Sequence, residues 1–207
     1  MNRINHHPHL IVIDGPIGVG KSSVIKLLSE KINALVIPEY IDESDGVKHL
    51  NEYLDNKHLY AYDFQAYILN HYREYIKGKN FSDYDYVIME RDPLRGVTFF
   101  ARMDLNNSYI SLAEYNSLFI RAIEVRTDIK EAVGDNYSDY TVTYDTSNRD
   151  INNIVNDIIE NFLDADEIRL DATPKIIYDR INKRNREGEA EAYDMKYIKY
   201  MCQNYYR

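Results

Sequence analysis

The residues best suited to chemistry form one unbroken motif that follows the apolar run Leu10–Ile13. Its spacing is G-x-x-x-x-G-K-[ST], the pattern of a loop whose backbone N–H groups wrap phosphates at the start of a helix. Lysine and serine in such a loop contact the outer phosphates of a nucleotide and Mg²⁺. An ordinary glycine-rich turn is the alternative, and the strand–loop–helix context disfavours it. The motif predicts phosphate binding by Gly15, Gly18, Val19, Gly20, Lys21, Ser22 and Ser23.

A second group of charged residues follows two predicted strands. Glu39 comes just after Ala34–Ile37, and Glu90 and Arg91 come directly after Tyr86–Met89. Ligands of parallel sheets bind beyond the carboxyl ends of the strands, so these charges are expected beside the phosphate loop. Phosphoryl transfer to a hydroxyl needs a proton acceptor, a metal ion and cations on the migrating charge. Solvated charges at strand ends are the alternative.

Arginines are dense near the end of the chain. Arg180 and Arg184 are four residues apart and share one helix face, and Arg186 follows close to Gly188. Planar guanidinium groups can clamp phosphates through paired donors, which favours phosphate binding by all three. A plain charged helix face is the alternative.

Short apolar runs alternate with longer amphipathic segments along the chain. Predicted strands cover 10–14, 34–37, 86–89, 140–144 and 167–170, and predicted helices cover 22–33, 47–77 and 111–132. Two more helices follow a capping-box spacing at Ser147–Asp150 and the segment Asp171–Pro174. This alternation predicts an α/β fold with five parallel strands and helices on both faces of the sheet.

Composition limits the classes of protein. A chain of 207 residues suits one domain over 1–207, and its net charge of -9 argues against a nucleic-acid partner. There is one cysteine, Cys202, so no intramolecular disulfide can form. No apolar run is long enough to cross a membrane, and the N-terminal residues lack the apolar core of a signal peptide. We therefore expect a cytoplasmic protein in a reducing compartment, with no membrane partner.

The phosphate loop alone leaves three classes open: a GTPase-type switch, a motor or transport ATPase, and a small-molecule kinase. A GTPase should carry N-K-x-D, and neither Asn56-Lys57 nor Asn182-Lys183 is followed by the required aspartate. The usual second ATPase motif has an aspartate after an apolar strand, whereas here the strand ends in Glu90-Arg91. The kinase class fits best.

Six features occur together. They are the phosphate loop, Pro38-Glu39-Tyr40, Phe64-Gln65, Glu90-Arg91-Asp92-Pro93, Asp171-Ala172-Thr173-Pro174 and RINKRNREGE at 180–189. In this combination the chain resembles the deoxyribonucleoside kinase family, which includes thymidine kinases of the herpesvirus, mitochondrial and insect types. The resemblance implies a P-loop kinase fold with an arginine-rich lid at about 180–189, and a homodimer. It also implies transfer of the γ-phosphoryl group of ATP to a deoxynucleoside 5′-hydroxyl, with Mg²⁺.

The resemblance also implies roles for individual residues. Glu39 would be the general base and Arg91 would hold the hydroxyl and the incoming phosphoryl group, with Lys21 as the third catalytic residue. Glu90 and Ser22 would hold the metal ion. The other implied roles are base recognition by Gln65, base stacking by Phe64 and Phe100, 3′-hydroxyl binding by Tyr53 and Glu189, and lid contacts to ATP by Arg180, Arg184 and Arg186.

Family members that accept cytosine or purines carry an aspartate and an arginine at positions that match Gly96 and Tyr72 here, and a small residue near Ile68. The resemblance therefore implies thymidine, or another pyrimidine deoxynucleoside, as acceptor. A thymidylate kinase is the nearest enzyme alternative, and a nucleotide-dependent switch or scaffold is the alternative from another class.

The order of two segments departs from the family. The segment 140–162, which resembles the last strand and helix of the family, precedes Asp171–Pro174 and the lid. Either the chain is rearranged or one segment is misassigned.

Overall fold

The computed structural model describes residues 7–39, 44–134, 140–186 and 188–207. Two residues of the quoted motifs, Tyr40 and Glu187, lie outside this set. The contacts divide the chain into two compact units. Unit 1 comprises 1–36, 80–90 and 133–207, and unit 2 comprises 37–79 and 91–132.

Five strands form the sheet, and all five predicted strands are confirmed. They are β1 (His9–Asp14), β2 (Ala34–Ile37), β3 (Tyr86–Glu90), β4 (Thr141–Asp145) and β5 (Glu167–Asp171). The order across the sheet is β2-β3-β1-β5-β4, and β1 pairs in parallel with both β3 and β5. The central strand β1 is almost continuously apolar, as a strand with a neighbour on each side and both faces covered should be. Its residues Leu10–Ile13 are at most 3% exposed.

The sheet order shows where the two segments whose order departs from the family lie in the structure. Strand β5 pairs directly with β1, whereas β4 pairs with β5 and lies at the edge of the sheet. Both segments are therefore strands of one sheet. Their match to the corresponding segments of the family stays a prediction.

The helices alternate with the strands. In chain order they are α1 (Lys21–Ser29), α2 (Ser44–Asp55), α3 (Lys57–Ile76), α4 (Pro93–Gly96), α5 (Arg102–Asn106), α6 (Leu112–Val133), α7 (Ile151–Asn161), α8 (Pro174–Arg184), α9 (Glu189–Ala192) and α10 (Met195–Asn204). A π-helical turn, Val97–Ala101, joins α4 to α5. Such turns occur frequently at functional sites.

The segment 47–77 is mostly helical, as predicted, and consists of two helices: α2 ends at Asp55, and Asn56 precedes α3 in a non-helical conformation. One detail of the predicted helices was wrong. The capping box at Ser147–Asp150 does not form: Asp150 itself caps α7, its carboxylate accepting a hydrogen bond from the N–H of Asn152. The Ser147 hydroxyl instead accepts a hydrogen bond from the N–H of Thr173, at 2.7 Å.

Candidate active site

The phosphate loop runs from the end of β1 into α1. Gly15 has φ of 153°, and a Cβ there would lie 2.6 Å from the carbonyl oxygen of Leu170, so only glycine fits this close approach. Gly20 has φ of 109° and turns the chain into α1. The Lys21 ammonium donates to the carbonyl oxygens of Gly15 and Pro16, both at 3.2 Å. The loop therefore has the strand–loop–helix setting that the sequence predicted.

The residues predicted to hold the metal lie together in unit 1. The Ser22 hydroxyl is 3.4 Å from Oε1 of Glu90, and Lys21 Nζ is 3.8 Å from the same oxygen. Mg²⁺ prefers oxygen ligands and is usually held by one or two protein oxygens together with substrate phosphates. No group of three or more metal-ligating acids, histidines or cysteines occurs among the residues that the structure describes. A hydroxyl and one carboxylate beside a phosphate loop fit a nucleotide-bound Mg²⁺.

Arg180 lies against the phosphate loop. Its Nη1 donates to the carbonyl oxygen of Val19 and to Oγ1 of Thr146, both at 2.9 Å, and its Nη2 donates to the carbonyl oxygen of Thr146 at 2.8 Å. The Thr146 hydroxyl also donates to the Val19 carbonyl, at 2.8 Å. Burial lowers the pKa of Arg180, and the charge of Asp145 opposes that effect. The arginine ties α8 and the end of β4 to the loop.

The other two arginines of the predicted lid hold a buried carboxylate. Arg184 Nη2 donates to Oε2 of Glu189, and Arg186 Nη1 donates to Oε1 of the same residue at 2.9 Å. Glu189 is only 2% exposed. The three predicted residues are thus brought together within unit 1. Their roles toward ATP and the sugar stay predictions.

In unit 2, Glu39 and Arg91 form a close ion pair. Arg91 Nη1 donates to Oε1 of Glu39 at 2.7 Å, and the two side chains are 5% and 12% exposed, respectively. The Arg91 guanidinium carbon lies 4.7 Å from the ring centroid of Phe100. The hydroxyl of Tyr72 donates to the Arg91 carbonyl oxygen at 3.2 Å. A carboxylate, a guanidinium and an aromatic ring are therefore clustered in unit 2.

Of the residues expected to contact the nucleoside, Tyr53 lies on α2, and Phe64 and Gln65 lie on α3. The rings of Tyr53 and Phe64 stack with centroids 5.0 Å apart. Gln65 is 5% exposed, and within the described part of the chain no hydrogen bond engages its side-chain amide. Buried amides are nearly always hydrogen-bonded, so this one has donor and acceptor capacity left for a ligand.

Sequence reasoning missed three polar residues near these groups. Asp14 Oδ1 accepts hydrogen bonds from the Gly15 N–H and the Tyr205 hydroxyl, each at 2.7 Å. Thr146 supports the loop as described above, and Asp104 accepts a hydrogen bond from Tyr53 at 2.9 Å. The positions of Asp14 and Thr146 next to strands were visible signals. Nothing in the sequence indicated that Asp104 is buried.

The parallel α/β sheet, with a phosphate loop between β1 and α1, defines the class of P-loop nucleotide-binding proteins. Residues 11–133, more than half of the chain, match the family model for deoxynucleoside kinase. The chain belongs to that family and is an ATP-dependent deoxynucleoside kinase.

One similar solved structure is a deoxyadenosine kinase from M. mycoides with bound dATP. Its TM-score is 0.61 at 18% sequence identity, over 96% of this chain and 82% of that chain, which supports the fold. No curated protein matches the sequence. Across the described ranges, no helix is long and apolar enough to span a membrane.

Proposed function

We propose that this kinase transfers the γ-phosphoryl group of ATP to the 5′-hydroxyl of thymidine or another pyrimidine deoxynucleoside. The observation that carries the proposal is the Gln65 side chain, which is 5% exposed and whose amide forms no hydrogen bond with the residues that the structure describes; Phe64 precedes it on α3. An amide offers a donor and an acceptor side by side, which suits the edge of a nucleobase. The rings of Phe64 and of Phe100, which lies beside Arg91, suit the face of the base.

The phosphate loop supplies the donor part of the reaction. Backbone N–H groups at the start of α1 and the Lys21 ammonium stabilise the phosphates of ATP, whose negative charges would otherwise repel one another. Ser22 and Glu90 would hold Mg²⁺, which neutralises charge that develops on the phosphates when it is bound.

The ion pair of Glu39 and Arg91 supplies the acceptor part. Glu39 accepts the proton of the 5′-hydroxyl, whose oxygen forms a new bond to the γ-phosphorus. The bond from that phosphorus to the bridging oxygen breaks, and ADP leaves with the electron pair. Arg91 holds the hydroxyl and the migrating phosphoryl group, and its positive charge offsets the negative charge on both. The products are a deoxynucleoside monophosphate, which is a DNA precursor of nucleotide salvage, and ADP.

The choice of base is supported by three positions. Gly96 offers no carboxylate for an exocyclic amino group, and Tyr72 is 1% exposed with its hydroxyl directed to the Arg91 carbonyl. Ile68 is larger than the residue that purine-accepting relatives carry. A glycine at the position where those relatives carry an aspartate favours thymine over bases with an amino group. Deoxyadenosine is the second candidate, because the similar M. mycoides structure is described as a deoxyadenosine kinase.

An acceptor panel tests the proposal. We expect ADP release from Mg-ATP with thymidine, less with deoxycytidine, and least with deoxyadenosine. Glu39→Gln should reduce turnover by about 10²-fold or more, because it removes the proton acceptor and keeps the shape. Thymidine monophosphate is the control for a thymidylate kinase. A preference for deoxyadenosine would refute the proposed base specificity, and turnover only with thymidine monophosphate would refute the nucleoside acceptor.

A further inference from the structure

Asp104 on α5 is a buried acid that has no part in the mechanism above. It is 1% exposed, and its Oδ1 accepts a hydrogen bond from the Tyr53 hydroxyl at 2.9 Å. Its Oδ2 is buried and has no hydrogen-bond partner among the described residues. A buried carboxylate with an unsatisfied oxygen destabilises a fold, so its presence needs a reason other than stability.

Among the residues that the structure describes, two groups face the Asp104 carboxylate. They are the Tyr53 hydroxyl on α2 and the charge of Lys57 at the start of α3. Lys57 Nζ lies 5.2 Å from the ring centroid of Tyr53 and 5.8 Å from that of Tyr109. The Tyr53 ring, in turn, stacks on Phe64, the neighbour of Gln65 in the chain. Asp104 thus acts on the residues that the proposed function assigns to the nucleoside.

An ionised carboxylate fixes the direction of this hydrogen bond. A phenol has one proton to donate, and an ionised carboxylate can only accept. While Asp104 is charged, the proton of Tyr53 is therefore committed to it, and the phenol oxygen can only accept hydrogen bonds from other groups. The charge also strengthens the bond and restricts the orientation of the hydroxyl.

We propose that Asp104 is a positioning residue, which holds Tyr53 so that its phenol oxygen accepts a hydrogen bond from the 3′-hydroxyl of the acceptor. The inference rests on the proposed function and on the 3′-hydroxyl contact that the family resemblance implies for Tyr53. It makes the enzyme selective for a 3′-hydroxyl over a 3′-hydrogen, because only the hydroxyl can donate.

The selectivity should depend on pH. Burial raises the pKa of Asp104 to about 6, although the Tyr53 hydroxyl and the charge of Lys57 favour ionisation. Below that pH the carboxyl group is protonated and can itself donate, so the Tyr53 proton is no longer committed. Preference for the 3′-hydroxyl is therefore expected above about pH 6 and should decline below it.

The test compares kcat/KM for thymidine and 3′-deoxythymidine, or for deoxyadenosine and its 3′-deoxy analogue if the acceptor panel favours that base. Glu39 and the phosphate loop contribute equally to both values, so their contributions cancel in the ratio. Asp104→Asn should lower the ratio about fivefold, because a hydrogen bond to a charged carboxylate is stronger than one to a neutral amide by about that factor. Tyr53→Phe should lower it at least as much, and the double variant no more than Tyr53→Phe alone.

Asp63→Asn is the matched control, since Asp63 is an exposed acid of α3 in the same unit. It should leave the ratio unchanged. From pH 8 to pH 5 the wild-type ratio should fall, while that of Asp104→Asn stays flat. Equal loss with both substrates, or a wild-type ratio independent of pH, would overturn the inference and leave the kinase activity intact. A wild type that phosphorylates no nucleoside would refute the proposed function on which the inference rests.

Discussion

Arg91 has a backbone conformation that arginine rarely adopts, with φ of 64° directly after β3 ends. A left-handed conformation at a residue with a bulky side chain costs on the order of 1–3 kcal/mol and persists where neighbouring contacts determine it. Here the Glu39 carboxylate, the Phe100 ring and the Tyr72 hydroxyl all contact Arg91. The left-handed conformation therefore occurs at a residue whose guanidinium is held against the Glu39 carboxylate.

Asp104 provides a prediction about stability at the same scale. Its pKa of about 6 in the folded protein lies above the ordinary value of 3.8, so ionisation of this group destabilises the fold. Its unfavourable contribution is absent below about pH 4 and complete above about pH 6. Asp104→Asn removes the charge, so the variant should gain about 1–3 kcal/mol in unfolding free energy between these pH values relative to the wild type.

Urea unfolding of both proteins at pH 4.5 and at pH 8 measures this gain. Any constant cost of the new amide cancels in the comparison between the two pH values. A difference in unfolding free energy that is the same at both would contradict the prediction. A variant that is more stable at pH 8, yet less selective for the 3′-hydroxyl, would indicate that the acid serves binding at the expense of stability.

Among the elements, the strands and the phosphate loop were predictable from sequence, because apolar runs such as Leu10–Ile13 and glycine spacing are local signals. The break between α2 and α3 at Asn56 was not predictable, since the two helices continue the same apolar periodicity across it. The partners of Arg180 and Asp104 were not predictable either. They depend on which helices pack together, and residue spacing within one helix carries no such information.

Helix α8 is coupled to the phosphate loop through Arg180, which suggests a test of its role. Three hydrogen bonds join it to Val19 and Thr146, and a lysine cannot reproduce this fork. Arg180→Lys should raise KM for ATP about tenfold and lower Tm by several degrees, while KM for the nucleoside changes little. ATP titrations and thermal unfolding measure these effects.

Arg149→Lys is the control for that variant. Arg149 is 47% exposed and its ion-pair partner Asp157 is 28% exposed, so its replacement should leave Tm nearly unchanged. If Arg180→Lys instead lowered only kcat, with Tm and KM for ATP unchanged, Arg180 would act on the migrating phosphate as a lid arginine and not as a support for the loop.

At the scale of the whole molecule, we expect the exposed apolar side chains of α3 and α6 in unit 2 to form an interface with a partner. Leu112, Ile120 and Ile123 of α6 are 61%, 57% and 44% exposed, and Leu59 of α3 is 66% exposed. The two helices lie side by side, as the hydrogen bond from Arg121 of α6 to Asn70 of α3 shows. Large apolar side chains concentrated on one surface often mark an interface.

We expect a homodimer through this surface, formed by two copies of α3 and α6 in a self-complementary arrangement. Ile120→Lys/Ile123→Lys places two buried charges in such an interface and should convert the dimer into a monomer. Glu30→Lys is the control, because it changes the net charge by the same amount at an exposed position of unit 1. Light scattering coupled to size-exclusion chromatography gives the mass of each protein. A wild-type mass of one chain, or a double variant that stays dimeric, would exclude an interface at this surface.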